Sequence, residues 1–186
     1  MPVRLMTNLA EREGLPRRDA RRRRLYGKTV ETWVIYLKSE TKEYKFYGRE
    51  NADIKDEHGL TPRDCYDLLA EIWCAETCAP RMRDKWSSEN KTLGQCSITA
   101  FLMQDIYGGK VYGVPLGDGN YHCFNAVGDC VFDLTSEQFG DVKLNYEDCP
   151  EQFREVHFAK EEKRKRYEFL REALLARIAA AADQDT

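Results

Sequence analysis

One stretch, "GQCSITAFLMQDIYGG" at residues 94–109, constrains the fold more than any other part of the chain. Its apolar residues recur at the spacing of an α-helix: Ile98, Phe101, Leu102 and Ile106. This spacing predicts a helix with one side facing the core, and the paired glycines at 108–109 predict where the helix ends. The helix is expected to begin at or near Cys96.

The position of Cys96 at a helix start has chemical consequences. Free backbone N–H groups and the positive end of the macrodipole favour an anion there, and the thiolate is the reactive form of cysteine. The same N–H groups can hold the oxyanion of an acyl-transfer intermediate. Cys96 is therefore predicted to be either a nucleophile or a small buried side chain of the core.

The segments around this helix predict a small antiparallel sheet and further helices. Before it, "ETWVIYLK" and "YKFYGR" predict a hairpin, and "TPRDCYDLLAEIW" predicts a helix with a capping box from Thr61 to Asp64. After it, "KVYGV" and "YHCFNAVGDCVFDLT" predict strands, the last two joined at Gly128-Asp129. The predicted fold class is α+β, with the cysteine-bearing helix packed on the sheet.

A length of 186 residues is typical of one domain with extensions. We predict a basic arm at 1–28, a single α+β domain at 29–158, and a C-terminal helix with a frayed end at 159–186. One face of the tail helix carries five apolar residues: Tyr167, Leu170, Leu174, Leu175 and Ile178. This face is expected to dock on the domain, to form a homodimer with a second copy, or to bind a protein partner.

Composition argues against several classes of protein. No apolar run approaches the ~20 residues of a membrane span, and the first 24 residues are polar and basic, unlike a signal peptide. Seven cysteines, an odd number, predict reduced thiols and a cytoplasmic protein. The net charge of -3 hides the basic arm, so nucleic-acid binding through its arginine run is an alternative.

A cysteine nucleophile needs a base, and the chain contains three histidines. His58 is predicted in a loop and His157 near the tail, which leaves His122 on a core strand. A two-residue turn at 128–129 sets a hairpin register in which His122 and Asp133 share one face as diagonal neighbours. At that separation an imidazole and a carboxylate reach each other.

These residues predict a triad in which Cys96 is the nucleophile, His122 the general base and Asp133 the group that orients the imidazole. A cysteine at a helix start, a histidine on a strand and an aspartate on the next strand form the layout of papain-like and transglutaminase-like enzymes.

Three further residues are predicted in supporting roles. Gln95 and Asn90 are candidate side-chain donors to an oxyanion. Trp86 is predicted either to wall the cleft or to anchor the long connection in the core. Asn125 points away from His122 and is predicted to be structural.

Residues 61–140 resemble the YunG-like family of small bacterial proteins. The resemblance rests on motifs in order: "EIWCAETC", "WSSEN", "GQCSITAFLMQDIYGG", "HCFN" and "DLTSEQF". It implies that Cys96, His122 and Asp133 belong to one compact unit, which looks like a minimal papain-type fold. The family has no established activity to carry over.

Two functions are compatible with these residues. The first is a cysteine hydrolase or acyltransferase acting on an amide or thioester bond, and the second is a non-catalytic binding or regulatory module that contacts a partner through the arm or tail helix. A metal site at Cys74 and Cys78, joined by Cys65, Cys96 or Cys123, is a third alternative, although zinc sites usually show tighter pairs. No motif predicts a cofactor, and none names the substrate.

Overall fold

The computed structural model describes residues 46–48, 54–117 and 119–183 of the chain, with side chains up to residue 180. The predicted basic arm and most of the predicted first hairpin lie outside these residues. Residues 43–177 form one compact unit. The unit at 43–177 contains every residue of the predicted triad.

Helix α1 spans Pro62–Leu69 and begins with the predicted capping box. The Thr61 hydroxyl accepts from the Asp64 N–H at 3.3 Å, and the Asp64 carboxylate accepts from the Thr61 N–H at 2.9 Å. The helix ends before Trp73, where the sequence predicted its end. Tighter hydrogen bonds turn the chain there, such as the bond from the Ile72 N–H to the Leu69 carbonyl at 2.9 Å. Ile72 and Trp73 are nonetheless buried.

Helix α2 spans Cys96–Tyr107, as the sequence predicts, and follows a connection that contains a 3-10 helix at Pro80–Lys85. It ends at Gly108, whose φ of 73° lies in the left-handed region that glycine tolerates best. Its predicted core face is buried at Ile98, Phe101 and Leu102 and half-buried at Ile106.

Within the described part of the chain, three antiparallel strands form a sheet in the order β1-β2-β3, with bounds Lys110–Pro115, Tyr121–Val127 and Cys130–Phe132. Val127 lies opposite Cys130, which confirms the predicted two-residue turn and its register. Asp133 follows β3, and its N–H donates to the Tyr47 carbonyl at 3.1 Å. Helix α2 packs on β1 and β2, so the architecture is α+β.

The chain continues through a 3-10 helix at Ser136–Phe139, helix α3 at Arg154–Phe158 and helix α4 at Glu161–Asp183. Four of the five residues predicted on the apolar face of α4 are buried: Tyr167, Leu170, Leu174 and Ile178. The prediction is wrong for Leu175, which is 40% exposed. Each residue turns the helix by about 100°, so Leu175 points well away from its neighbour Leu174.

The first half of α4 docks on the rest of the unit at 43–177, one of the three roles predicted for the tail. Arg166 is buried and donates to the Thr77 carbonyl at 3.0 Å while it pairs with Glu162. The Tyr167 hydroxyl donates to the carboxylate of Asp105 on α2. Among the helices of the described residues, none has the length and apolar character needed to cross a membrane.

Replacement of Leu174 by alanine is expected to lower the free energy of unfolding by about 2–5 kcal/mol, because a fully buried leucine leaves a cavity. Leu175→Ala is the matched control, and its exposure limits the expected change to about 0.5 kcal/mol. Urea denaturation followed by circular dichroism measures both. Equal losses would contradict the assignment of the buried face.

Candidate active site

A tight turn places Cys96 at the N-terminal end of α2. The Gln95 N–H donates to the Thr92 carbonyl at 3.1 Å, and the preceding Gly94 has a φ of 70°. A Cβ at Gly94 would lie 2.7 Å from Cys78 Sγ, so a side chain there meets both strain and a clash. Cys96 follows as the first helical residue and is half-buried.

Strand β2 holds this end of the helix through a buried side chain. The Asn125 side-chain N–H donates to the Ala100 carbonyl at 2.8 Å, which gives Asn125 the structural role predicted for it. Ala100 lies about one helical turn after Cys96, and Asn125 lies two residues after Cys123 on the same face of β2. The bond therefore aligns Cys96 with the start of β2, where His122 and Cys123 lie.

The structure brings His122 and Asp133 together as the hairpin register predicts. Their Nε2 and Oδ2 atoms are 2.5 Å apart, and the side chains are 0% and 1% exposed. The Phe139 ring and the imidazole form a T-shaped pair, with 4.8 Å between ring centroids. Asp133 and Phe139 thus both help to hold His122.

Further hydrogen bonds fix the Asp133 carboxylate in place. Oδ1 accepts from the Thr135 N–H at 2.9 Å and from the Thr135 hydroxyl at 3.1 Å, while Oδ2 accepts from the Tyr146 hydroxyl at 3.1 Å. Tyr146 in turn stacks on Tyr47 with 4.1 Å between centroids. These contacts compensate for the cost of burying a carboxylate.

Opposing effects act on the charge of His122. Burial lowers its pKa, but the charge and hydrogen bond of Asp133, together with those of Cys96, outweigh burial and raise the pKa to about 10. The imidazolium is therefore the favoured form at neutral pH, and it faces the Cys96 thiol with one side and the Asp133 carboxylate with the other.

The Cys96 thiol responds to the same neighbours. Hydrogen bonding from the Cys123 thiol, assisted by the hydrogen bond and positive charge of His122, outweighs burial and holds the pKa of Cys96 well below its usual range. The proton stays on Cys123, because its bond to Cys96 and its burial raise the pKa of that thiol. The site therefore favours a Cys96 thiolate beside a His122 imidazolium.

Gln138 is a residue of the site that sequence reasoning missed. Its Nε2 lies 3.4 Å from His122 Nδ1 and donates to the Thr135 carbonyl at 2.8 Å, while its Oε1 accepts from the Gly94 N–H at 3.4 Å. Gln138 therefore links the turn before Cys96 to the imidazole. The signal was available in the motif "DLTSEQF", but only the 3-10 helix after Asp133 brings its glutamine back to the histidine.

The three residues predicted in supporting roles have other contacts. The Gln95 amide donates to the Cys74 carbonyl at 3.2 Å, and its Oε1 is buried with no partner among the described residues. The Trp86 indole donates to the Lys91 carbonyl at 2.9 Å, and Asn90 forms a bridge with Ser87. Trp86 and Asn90 thus stabilise the loop before Cys96, and their contacts do not join them to the triad.

A second polar cluster also escaped prediction. His157 Nδ1 accepts from the Lys163 ammonium at 3.0 Å, and Nε2 donates to the Gln152 side-chain oxygen at 3.1 Å. Burial and the Lys163 charge lower the pKa of His157 to about 4, so its ring is neutral at neutral pH. Burial lowers the pKa of Lys163, and the neighbouring Cys123 and Cys96 oppose that shift, so this cation lies close to the two thiols.

Cys74 and Cys78, the pair considered for a metal site, contact residues close to them in the chain. Cys74 Sγ accepts from the Thr77 hydroxyl at 3.8 Å, and Cys78 Sγ donates to the Ala79 carbonyl at 3.5 Å. Within the described ranges, no group of three or more His, Cys, Asp or Glu side chains is arranged to hold a metal ion.

Replacement of Tyr146 by phenylalanine is expected to lower the free energy of unfolding by about 1.5–3 kcal/mol, because it removes a hydrogen bond to the buried Asp133 carboxylate. Tyr121→Phe is the control, since Tyr121 is 39% exposed and a change of about 0.5 kcal/mol is expected. Urea denaturation of both variants tests this. A Tyr146→Phe protein as stable as the control would contradict the assigned carboxylate contacts.

Comparison with known proteins places this site within a family. The family model "YunG protein" matches residues 61–179, which extends past residue 140 to include most of α4. The chain is 31% identical over 106 residues to "Uncharacterized protein YunG" of Bacillus subtilis (strain 168), covering 57% of this chain and 84% of that protein. No solved structure matches. Because the family model covers well over half of the residues, the chain belongs to the YunG family.

Proposed function

We propose that the protein is a cysteine hydrolase or acyltransferase that acts on an amide or thioester bond. The observation that carries the proposal is the buried His122–Asp133 pair, 2.5 Å between Nε2 and Oδ2, beside a half-buried cysteine at a helix N-terminus. A thiolate paired with an imidazolium is the form that attacks a carbonyl carbon. The proposed triad is Cys96, His122 and Asp133.

In the proposed acylation step, Cys96 Sγ attacks the carbonyl carbon of the substrate. The tetrahedral intermediate collapses as the bond to the leaving amine or thiolate breaks, and His122 gives its proton to that leaving group. The products of this step are a thioester on Cys96 and a neutral His122. Asp133 keeps the imidazole in place throughout and stabilises its charged form.

In the second step, neutral His122 takes a proton from the attacking nucleophile. Water as nucleophile gives hydrolysis to a carboxylic acid, and an amine, alcohol or thiol gives acyl transfer. The Cys96 thiolate then leaves and the imidazolium is restored. Gln138 is a positioning residue for these steps, since it contacts His122 Nδ1 from the side of Gly94.

The N-terminal end of α2 supports stabilisation of the oxyanion. Backbone N–H groups there, including that of Cys96, form the positive end of the helix macrodipole. Gln95 donates one side-chain N–H to Cys74, so in this proposal its second amide hydrogen is the one offered to an oxyanion. Lys163 adds a positive charge close to Cys96.

The proposal extends to fold family and location. The order of a cysteine at a helix start, a histidine on an antiparallel strand and an aspartate after the next strand supports a papain-like or transglutaminase-like core. None of the seven cysteines, all of which lie within the described residues, forms a disulfide, which supports a cytoplasmic protein with reduced thiols.

Trapping of an acyl-enzyme tests the proposed function. The full chain is mixed with p-nitrophenyl acetate or a small alkyl thioester, quenched in acid, and mapped by mass spectrometry. We expect an acetyl group on the Cys96 peptide and a burst of product, both absent in Cys96→Ser. His122→Ala and His122→Gln should slow acylation by about 10²–10⁴-fold, because the thiolate loses its imidazolium partner.

His58→Ala is the matched control, because His58 lies on the exposed loop before α1 and its replacement should leave the burst unchanged. Circular dichroism confirms that each variant is folded. Acylation that is indifferent to His122, or a folded wild type in which Cys96 stays unmodified, would overturn the proposal. The second result would favour the alternative of a non-catalytic binding or regulatory module.

A further inference from the structure

We propose that Cys96 and Cys123 form a dithiol pair that a peroxide oxidises to an intramolecular disulfide, a reaction that uses the same Cys96 sulfur as the proposed acyl chemistry but no acyl substrate. The pair does not depend on the proposed function, because it needs neither a substrate nor an oxyanion site.

The fold aligns the two cysteines from opposite elements. The Asn125 side chain donates to the Ala100 carbonyl at 2.8 Å and so fixes α2 over β2. Ala100 lies about one helical turn after Cys96, and Asn125 lies two strand residues after Cys123. The advance of a helical turn, about 5.4 Å, is close to that of two strand residues, about 6.6 Å, so the cysteines lie opposite each other. Each of the two thiols also shifts the pKa of the other, as neighbouring groups do.

The two thiols differ in the way that disulfide formation requires. Cys96 is half-buried and favours the thiolate, so it is the sulfur that a small oxidant reaches and that reacts first. Cys123 is 1% exposed and keeps its proton, so it is protected from the oxidant. Cys123 is therefore the resolving thiol.

The chemistry balances with one peroxide. The Cys96 thiolate attacks an oxygen of hydrogen peroxide, the O–O bond breaks, Cys96 becomes a sulfenic acid, and the departing hydroxide takes a proton from His122 to form water. The Cys123 sulfur then attacks the sulfenic sulfur. The S–S bond forms as the S–O bond breaks, and the thiol proton leaves with the hydroxyl group as a second water. Both sulfurs are oxidised, the peroxide oxygens are reduced, and a dithiol reductant reverses the change.

Cys78 is the rival partner, because its Sγ lies against the backbone of Gly94, two residues before Cys96. Its thiol donates to the Ala79 carbonyl at 3.5 Å, whereas it is Cys123 that lowers the pKa of Cys96. The contacts therefore favour Cys123, and replacement of Cys78 serves as the matched control.

Oxidation of the full chain by hydrogen peroxide tests this pair. After brief treatment the free thiols are blocked with iodoacetamide, and the protein is digested and mapped under non-reducing conditions. We expect a loss of about 2 Da in the unblocked chain and a peptide that links Cys96 to Cys123, both reversed by dithiothreitol. Cys78→Ser should retain the link.

Cys123→Ser and Cys123→Ala, checked for folding by circular dichroism, should lose the link. They should instead accumulate a Cys96 sulfenic acid that dimedone traps and that advances to the sulfinic acid faster than in the wild type. A link from Cys96 to Cys78 or to a second chain would overturn the proposal. Equal over-oxidation of Cys96 with and without Cys123, or no oxidation of wild-type Cys96, would overturn it as well. Acyl trapping under reducing conditions is unaffected by these outcomes, so each proposal fails on its own.

Discussion

The buried hydrogen bond between His122 and Asp133 is the interaction on which the rest of the site depends. Removing one partner of a buried ion pair costs about 3–5 kcal/mol, so both groups must be fully bonded. The chain meets this demand by turning after Asp133, which brings Thr135 to one carboxylate oxygen, and by placing Tyr146 on the other. The Asp133 carboxylate is thus held by the hairpin register, the 3-10 helix and the later loop together.

The two faces of strand β2 carry different groups of residues. Phe124 packs on Tyr146 with 4.9 Å between centroids, on the face that holds His122 and Asp133. On the other face, Cys123 and Asn125 meet α2, and Gln152 fills the space left by Gly113 opposite Cys123. Cys96 lies on α2 beside the start of β2, so it is next to His122 on one face of the strand and Cys123 on the other. Lys163 reaches this region from α4, so the tail helix contributes a positive charge near the two thiols.

Local signals in the sequence predicted much of this arrangement. The capping box at Thr61, the helix at Cys96 and the hairpin turn at 128–129 each depend on neighbours in the chain, and the turn alone sets the pairing of His122 with Asp133. Gln138 and Lys163 could not be found in this way, because the fold of the 3-10 helix brings Gln138 to the imidazole and the packing of α4 brings Lys163 to the thiols. The same limit applies to Gln95, Asn90 and Trp86, whose partners lie in a connection without a repeating pattern.

The rate of Cys96 alkylation by iodoacetamide against pH tests the thiolate–imidazolium pair most directly. Peptide mapping follows each thiol separately, and Cys149 is an internal control because burial and Asp148 raise its pKa. A thiolate–imidazolium pair predicts that the Cys96 rate titrates well below the ordinary thiol pKa of about 8.5 and that His122→Ala moves only Cys96 upward, while Cys149 titrates above that value. A Cys96 that titrates with Cys149, or that ignores the loss of His122, would contradict it.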